Sequence, residues 1–195
     1  MGGTLDTIIV CILRIFVLLY LYQTIYMLVG LFCKPKRFTA KKQHRYGVLI
    51  SARNESAVIA HLIESIRNQN YPSELVDVFV VADNCTDDTA DAARAAGAIV
   101  FERFNQEEKG KGYALNYLLG RIKQQYGPEY YEGFFIFDAD NVLEKDYITQ
   151  MNTVFDNGYA LVTSYRNSKN YSDNWITSGY GLWFLREARY LNNAR

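Results

Sequence analysis

From Ile8 to Phe32 the chain reads IIVCILRIFVLLYLYQTIYMLVGLF, 25 positions with Arg14 as the one charge. As a helix rising 1.5 Å per residue this run reaches about 37 Å, beyond the ~30 Å hydrocarbon core of a bilayer, so it predicts a membrane-spanning helix. From Tyr46 the pattern changes to short apolar runs separated by stretches of helical period, which predicts a mostly parallel α/β sheet. YGVLIS (46–51), LVDVFVVA (75–82), AIVFE (98–102), FFIFD (134–138) and YALVTSY (159–165) read as five strands. Between the first two, Asn54 suits an N-cap and Val58, Ile59, Leu62, Ile63 and Ile66 share one helical face. Further helices are predicted over 86–97, with an acidic first turn and a terminal glycine, over 110–126 and over 146–156. Residues 173–192 set Trp175, Ile176, Tyr180, Trp183 and Phe184 on one half of a last helix, although Gly179 and Gly181 weaken it. That face suits packing against further residues of the same domain, beyond this chain, better than a membrane surface.

The flanks of the apolar run orient it. KPKRFTAKKQHR after it holds six basic residues (Lys34, Lys36, Arg37, Lys41, Lys42, Arg45), whereas the N-terminal flank carries only Asp6. By the positive-inside rule the N-terminus is outside and the remainder cytoplasmic, at the cell membrane. MGGTLD lacks the basic start of a cleaved signal, so an anchor is expected. The predicted division is a transmembrane helix over 1–33, a basic cytoplasmic linker over 34–45 and the α/β part over 46–195.

The balance of 21 Lys+Arg against 21 Asp+Glu hides an asymmetry. From Tyr46 onward 14 basic residues face 20 acidic ones, a net charge of −6, which argues against a nucleic-acid partner. Cys11, Cys33 and Cys85 are odd in number and widely spaced, matching neither a disulfide framework nor a CxxC metal site.

In parallel α/β sheets ligands bind at the carboxyl ends of the strands, and three strand exits are rich in charge: Ser51-Ala52-Arg53-Asn54-Glu55, Asp83-Asn84-Cys85-Thr86-Asp87-Asp88 and Asp138-Ala139-Asp140-Asn141. Asp138 and Asp140 are two carboxylates delivered by an apolar strand. Such hard oxygen ligands suit Mg²⁺ or Mn²⁺ bridging to a diphosphate, though Asp is also common in plain turns. Asp83 suits a hydrogen bond from a base or ribose, or alternatively a capped loop. Glu107-Glu108-Lys109-Gly110-Lys111-Gly112 opens a helix with glycines and lysines that favour an anion, or forms a solvated loop. Cys85, His44 and His61 lack the arrangement of a nucleophile and its base, and read as structural.

In this order and spacing LISARNES, VVADNCTDDT, GKGYALN and FDADN resemble the glycosyltransferase family 2 pattern with its GT-A fold, over residues 49–141. The preceding apolar helix makes the chain similar to the membrane-bound branch that includes hyaluronan, cellulose and poly-N-acetylglucosamine synthases. The resemblance implies an inverting transferase of cell-surface polysaccharide or glycan synthesis. Its donor would be a nucleotide sugar, most often of UDP, its acceptor a glycan or lipid-linked molecule, and its cofactor Mn²⁺ or Mg²⁺. Ala52, Arg53 and Glu55 would line the nucleotide pocket and Asp83 would bind the base. Lys111 would approach the diphosphate, Asp138 the nucleotide sugar, and Asp140 would hold the metal. The family's later acidic motif, which supplies the general base, and its QxxRW segment are not found after Asp140, so an incomplete domain is expected.

Two other readings compete. Asp138-Ala139-Asp140-Asn141-Val142 also fits the DxDx(T/V) nucleophile motif of haloacid-dehalogenase-like phosphatases, but at the end of the fourth strand rather than the first. A membrane-anchored binder of nucleotide sugars without catalysis is the other.

Overall fold

The computed structural model describes residues 2–32 and 37–191, so Met1, residues 33–36 (with Cys33, Lys34 and Lys36) and residues 192–195 lie outside it. The chain divides into two compact units, Phe38–Val162 and Met1–Arg37 with Thr163–Arg195.

In the first unit β1 (Tyr46–Ala52), β2 (Val76–Asp83), β3 (Ile99–Arg103) and β4 (Gly133–Asp138) form one sheet in the order β3-β2-β1-β4. Every pairing is parallel, as the alternation of strands and helices predicts. The crossovers carry α2 (Ile59–Arg67), α3 (Thr89–Ala95) and α4 (Lys111–Tyr126), and α5 (Tyr147–Phe155) follows β4. Alternate residues of the central strands point to opposite faces, and both faces are covered. Val48, Ile50, Val78 and Val80 pack with Ile59, Leu62, Ile63 and Ile148 on one side. Leu49, Phe79 and Val81 pack with Ala114, Leu118 and Ile122 of α4 on the other. Double coverage is why the strands read as continuous apolar runs.

The outer strand β4 is different. Phe137 is buried, but Phe134 and Ile136, facing away from the α5 side, are exposed. The fifth strand expected over 159–165 is absent, and the segment is irregular. Its apolar pattern is local, whereas a strand needs a partner edge. It also straddles the boundary between the two units.

Two helix starts also differ from the sequence reading. α2 begins at Ile59 rather than after Asn54, and α3 begins at Thr89 rather than at 86. In both cases the intervening polar side chains are engaged across the strand exits instead. Gly97, two residues past α3, has φ +93, a conformation that favours glycine.

Below β1 and β4 a buried polar knot ties residues 41–46 to the sheet. Asn152 Oδ1 accepts from the Tyr46 hydroxyl (2.9 Å) and the His44 amide (3.2 Å). The Tyr71 hydroxyl shares its hydrogen between Asn152 Oδ1 (3.0 Å) and the His44 carbonyl (2.8 Å). Burial is the main reason the Tyr46 phenol is raised above its ordinary range and the Tyr71 phenol pushed up to about 12. His44 lies between two carboxylates, Nδ1 at 2.8 Å from Glu132 and Nε2 at 2.8 Å from Asp156. Hydrogen bonds from Lys42 and His44 hold the Glu132 carboxyl down at about 2. The Lys41 amide, then His44, lowers Asp156. The structural role expected of His44 is thus visible.

The second unit contains α1 (Gly2–Phe32), within which Asp6–Phe32 is long and apolar enough to cross a membrane. α6 (Trp175–Leu185) is capped by Asn174, whose side chain accepts from Ile176 N and Thr177 N, and runs into a π-helical turn, Arg186–Leu191. Trp175, Ile176, Tyr180 and Trp183 are exposed, and the buried member of the helix is Gly181. Gly181 sits against the Tyr171 ring, where a Cβ would come within 2.4 Å of it.

Candidate functional site

Parallel register sets the charged strand exits level at one edge of the sheet. Ser51 pairs with Asp138, Ala52 with Ala82, and Asp83 with Arg103. In the sequence these positions are separated by crossovers, and the sheet makes them neighbours.

At the end of β1, Ala52 is buried and Arg53 exposed. Asn54 adopts φ +56, and its Oδ1 accepts from the Thr86 amide at 2.8 Å, so it stitches the first exit to the second. The half-buried Glu55 is held through its backbone: its amide donates to Thr89 Oγ1 (2.8 Å) and its carbonyl accepts from the amides of Val58 and Ile59. Asp87 accepts from the hydroxyl and amide of Thr89 and from the Ser56 amide. The Thr89 and Ser56 hydrogen bonds hold its carboxyl at about 2.

At the end of β2, Asp83 is 5% exposed and forms a buried ion pair with Arg103, Oδ1 to NH1 at 2.7 Å. Asn84 Nδ2 donates to the same oxygen at 3.2 Å. Asn84 itself, at φ +53, holds the loop that follows β3, donating to the Asn105 carbonyl and accepting from the Asn105 amide and Gln106 Nε2. Arg103 also donates to the Glu108 carbonyl at 2.8 Å. One guanidinium therefore connects the Asp83 carboxylate to the glycine-containing loop before α4. Sequence reasoning missed Arg103. The usable signal was register, since βαβ pairing sets the last residue of β3 beside Asp83.

At the end of β4, Asp138 and Asp140 flank a tight turn in which the Asn141 amide donates to the Asp138 carbonyl (3.0 Å) and Asn141 Oδ1 accepts from the Asp138 amide (3.3 Å). Asp138 is ion-paired with Lys111 at the start of α4. Gly110, the residue before α4, has φ +118 and no atom within 4 Å of a Cβ built there. The six predicted donor-site residues and the predicted metal ligand thus fall on the three level exits and the adjoining helix start.

Among the described residues no cluster of three or more His, Cys, Asp or Glu could hold a metal alone. Two carboxylates nevertheless suit a hard cation that takes its other ligands from substrate phosphates and water, so Asp138 and Asp140 fit such an ion. The cleft of about 410 Å³ between the end of β3 and α4, lined by Arg103, Phe104, Tyr113 and Tyr117, excludes Asp83, Asp138 and Asp140. Cys85 is a half-buried free thiol with Sγ 3.5 Å from the Ala52 carbonyl, in keeping with a structural role.

Comparison with known proteins bears on what this edge does. The chain is 27% identical over 171 residues to beta-monoglucosyldiacylglycerol synthase of a Nostoc species, covering 80% of this chain and 35% of that protein. It is 41% identical over 70 residues to 4,4'-diaponeurosporenoate glycosyltransferase of Staphylococcus aureus, covering 36% of this chain and 18% of the relative. It therefore spans about a third or less of these curated relatives. A mannosyltransferase from Pyrobaculum calidifontis, solved with GDP-Man and Mn²⁺, superposes with a TM-score of 0.53 at 22% identity, covering 77% of this chain and 41% of that one. That likeness shows the GT-A type of fold and its partial extent. The model of the glycosyltransferase like family 2 matches residues 44–193, well over half of the chain. A phosphatase is not among these relatives, and the two-carboxylate motif closes the fourth strand. The chain belongs to glycosyltransferase like family 2.

Proposed function

We propose that this chain is the donor-binding part of an inverting, metal-dependent glycosyltransferase anchored in a membrane. The observation that carries the reading is the level edge at which Ala52, Asp83 and Asp138 end adjacent parallel strands, with Lys111 paired to Asp138. A nucleoside diphosphate sugar needs such a row: a carboxylate for the base, a cation for the diphosphate, and carboxylates for the metal and the sugar.

On this reading Ala52, Arg53 and Glu55 line the nucleotide pocket and Asp83 accepts a hydrogen bond from the base. Lys111 exchanges Asp138 for a phosphate oxygen when the donor binds, and the freed Asp138 contacts the nucleotide sugar. Asp140 holds Mn²⁺ or Mg²⁺, which when bound neutralises the departing diphosphate. An acceptor hydroxyl attacks the anomeric carbon from the face opposite the diphosphate, inverting it. No general base is assigned within this chain.

The apolar helix α1 and the basic residues after it suit an anchor with the N-terminus outside and the transferase on the cytoplasmic face. A membrane-resident, lipid-linked acceptor agrees with the names of the two curated relatives, and a growing glycan agrees with the polysaccharide-synthase resemblance. The test is calorimetric titration of UDP into the full chain in detergent, with and without Mn²⁺. Binding is expected to require the metal, and Asp140→Ala to weaken it at least about tenfold. A folded chain that takes up neither UDP nor GDP with Mn²⁺ present would overturn the reading.

A further inference from the structure

Asp83 is the buried carboxylate of this edge, 5% exposed, and only one of its oxygens is occupied. Oδ1 takes both the Arg103 guanidinium (2.7 Å) and Asn84 Nδ2 (3.2 Å). Oδ2 has no protein partner among the described residues and is not sealed from solvent. The carboxylate cannot easily turn to change this. Asp83 and Arg103 are 5% and 6% exposed, and Asn84 donates its amide to the Arg103 carbonyl at 2.7 Å. The second guanidinium nitrogen, NH2, is bound to the Glu108 carbonyl at 2.8 Å. The ion pair is therefore fixed at both ends, and a ligand meets one acceptor atom rather than two.

Nucleobases differ in what they offer such an acceptor. Uracil presents a single N3–H flanked by two carbonyls. Guanine presents N1–H and the N2 amine side by side, a two-donor edge that a carboxylate satisfies with both of its oxygens. An edge with one donor too many leaves that donor buried without a partner, which costs more than a missing contact with water available.

We propose that Arg103 is a positioning residue for donor choice: by occupying Oδ1 of Asp83 it leaves Oδ2 as the sole acceptor and selects uracil over guanine. The inference rests on the reading of Asp83 as the base-binding carboxylate and goes beyond it by assigning the nucleotide class and the residue that sets it. On this reading Arg103 acts on the donor through Asp83. A merely structural role would change the affinity of every nucleotide alike, whereas this one changes their ratio.

The test is calorimetric titration of four diphosphates into the full chain in detergent with Mn²⁺. UDP is expected to bind at least about tenfold tighter than GDP. IDP, whose base keeps N1–H but lacks the N2 amine, should bind tighter than GDP, and 3-methyl-UDP, which lacks N3–H, should lose most of the affinity of UDP. These arms need no variant, so they decide the matter even if a substitution unfolds the chain. In Arg103→Met the UDP to GDP ratio should fall toward one, and in Arg103→Lys, which can still pair with Oδ1, it should be retained. GDP binding as tightly as UDP to the unaltered chain, IDP no better than GDP, or equal losses for both nucleotides in Arg103→Met would each overturn the proposal. If none of the four bound, the donor-site reading itself would fall and this inference with it.

Discussion

Asn152→Ala is the substitution for which the structure fixes the consequence most closely. Asn152 is 2% exposed, and its Oδ1 is the single hydrogen-bond partner of the Tyr46 hydroxyl among the described residues. Its Nδ2 donates to the Lys42 carbonyl at 2.8 Å, and its Oδ1 takes the His44 amide. Removing it strands the Tyr46 hydroxyl in a site where that tyrosine is 2% exposed, and loosens two backbone groups nearer the surface. One fully buried orphan and two partly solvated ones together cost about 3 kcal/mol. For a unit of about 125 residues that is a fall in Tm of about 10 °C. Thermal unfolding of the full chain in detergent, followed by far-UV circular dichroism, reads it. The sharper version is a double-mutant cycle. Tyr46→Phe alone should cost about 1 kcal/mol, but in the Asn152→Ala background it should stabilise by a similar amount, because the hydroxyl it removes no longer has a partner. A fall of under about 2 °C for Asn152→Ala, or a Tyr46→Phe effect of the same sign in both backgrounds, would refute the account of the knot.

Two further predictions bear on the strap and the site. Glu132 titrates at about 2 when folded against an ordinary 4.5, so its contribution to stability is complete above about 4.5 and is lost as the pH falls toward about 2. The urea midpoint should decline across that window, less steeply in Glu132→Gln, with residues 39–45 gaining amide exchange first; a midpoint flat across the window would contradict the pairing. Gly110 and Gly112 should separate, since Gly110 has φ +118 while Gly112 lies inside α4 with open space around it. Gly110→Ala should lower Tm, whereas Gly112→Ala should stabilise by roughly 0.5–1 kcal/mol of helix propensity and so raise Tm; equal shifts from the two would rule this out.

The sequence by itself determined the parts of this protein that depend on local period and on burial along one element. The apolar run of α1, the strands β1 to β4 and the helices between them were all legible, because an apolar run covered on both faces leaves a continuous signature in the chain. The charged exits were legible too, since Asp83 and Asp138 each interrupt an apolar strand at its end. Tertiary structure decided what depends on register and on partners distant in sequence. Arg103 reads as the residue just past a short strand until the β2–β3 pairing sets it beside Asp83. Asn152 reads as one polar position on α5 until Tyr46 and Tyr71 converge on it. Asn54 looked like a cap because Asn favours caps, but the Thr86 amide, a neighbour only once β1 and β2 pair, captured its side chain. Residues 159–165 failed in the opposite direction, having the pattern of a strand but pairing with neither outer strand of the sheet, β3 or β4. Side-chain period is a property of the chain alone, whereas a hydrogen bond or ion pair belongs to two groups, and only the folded sheet brings the second one within reach.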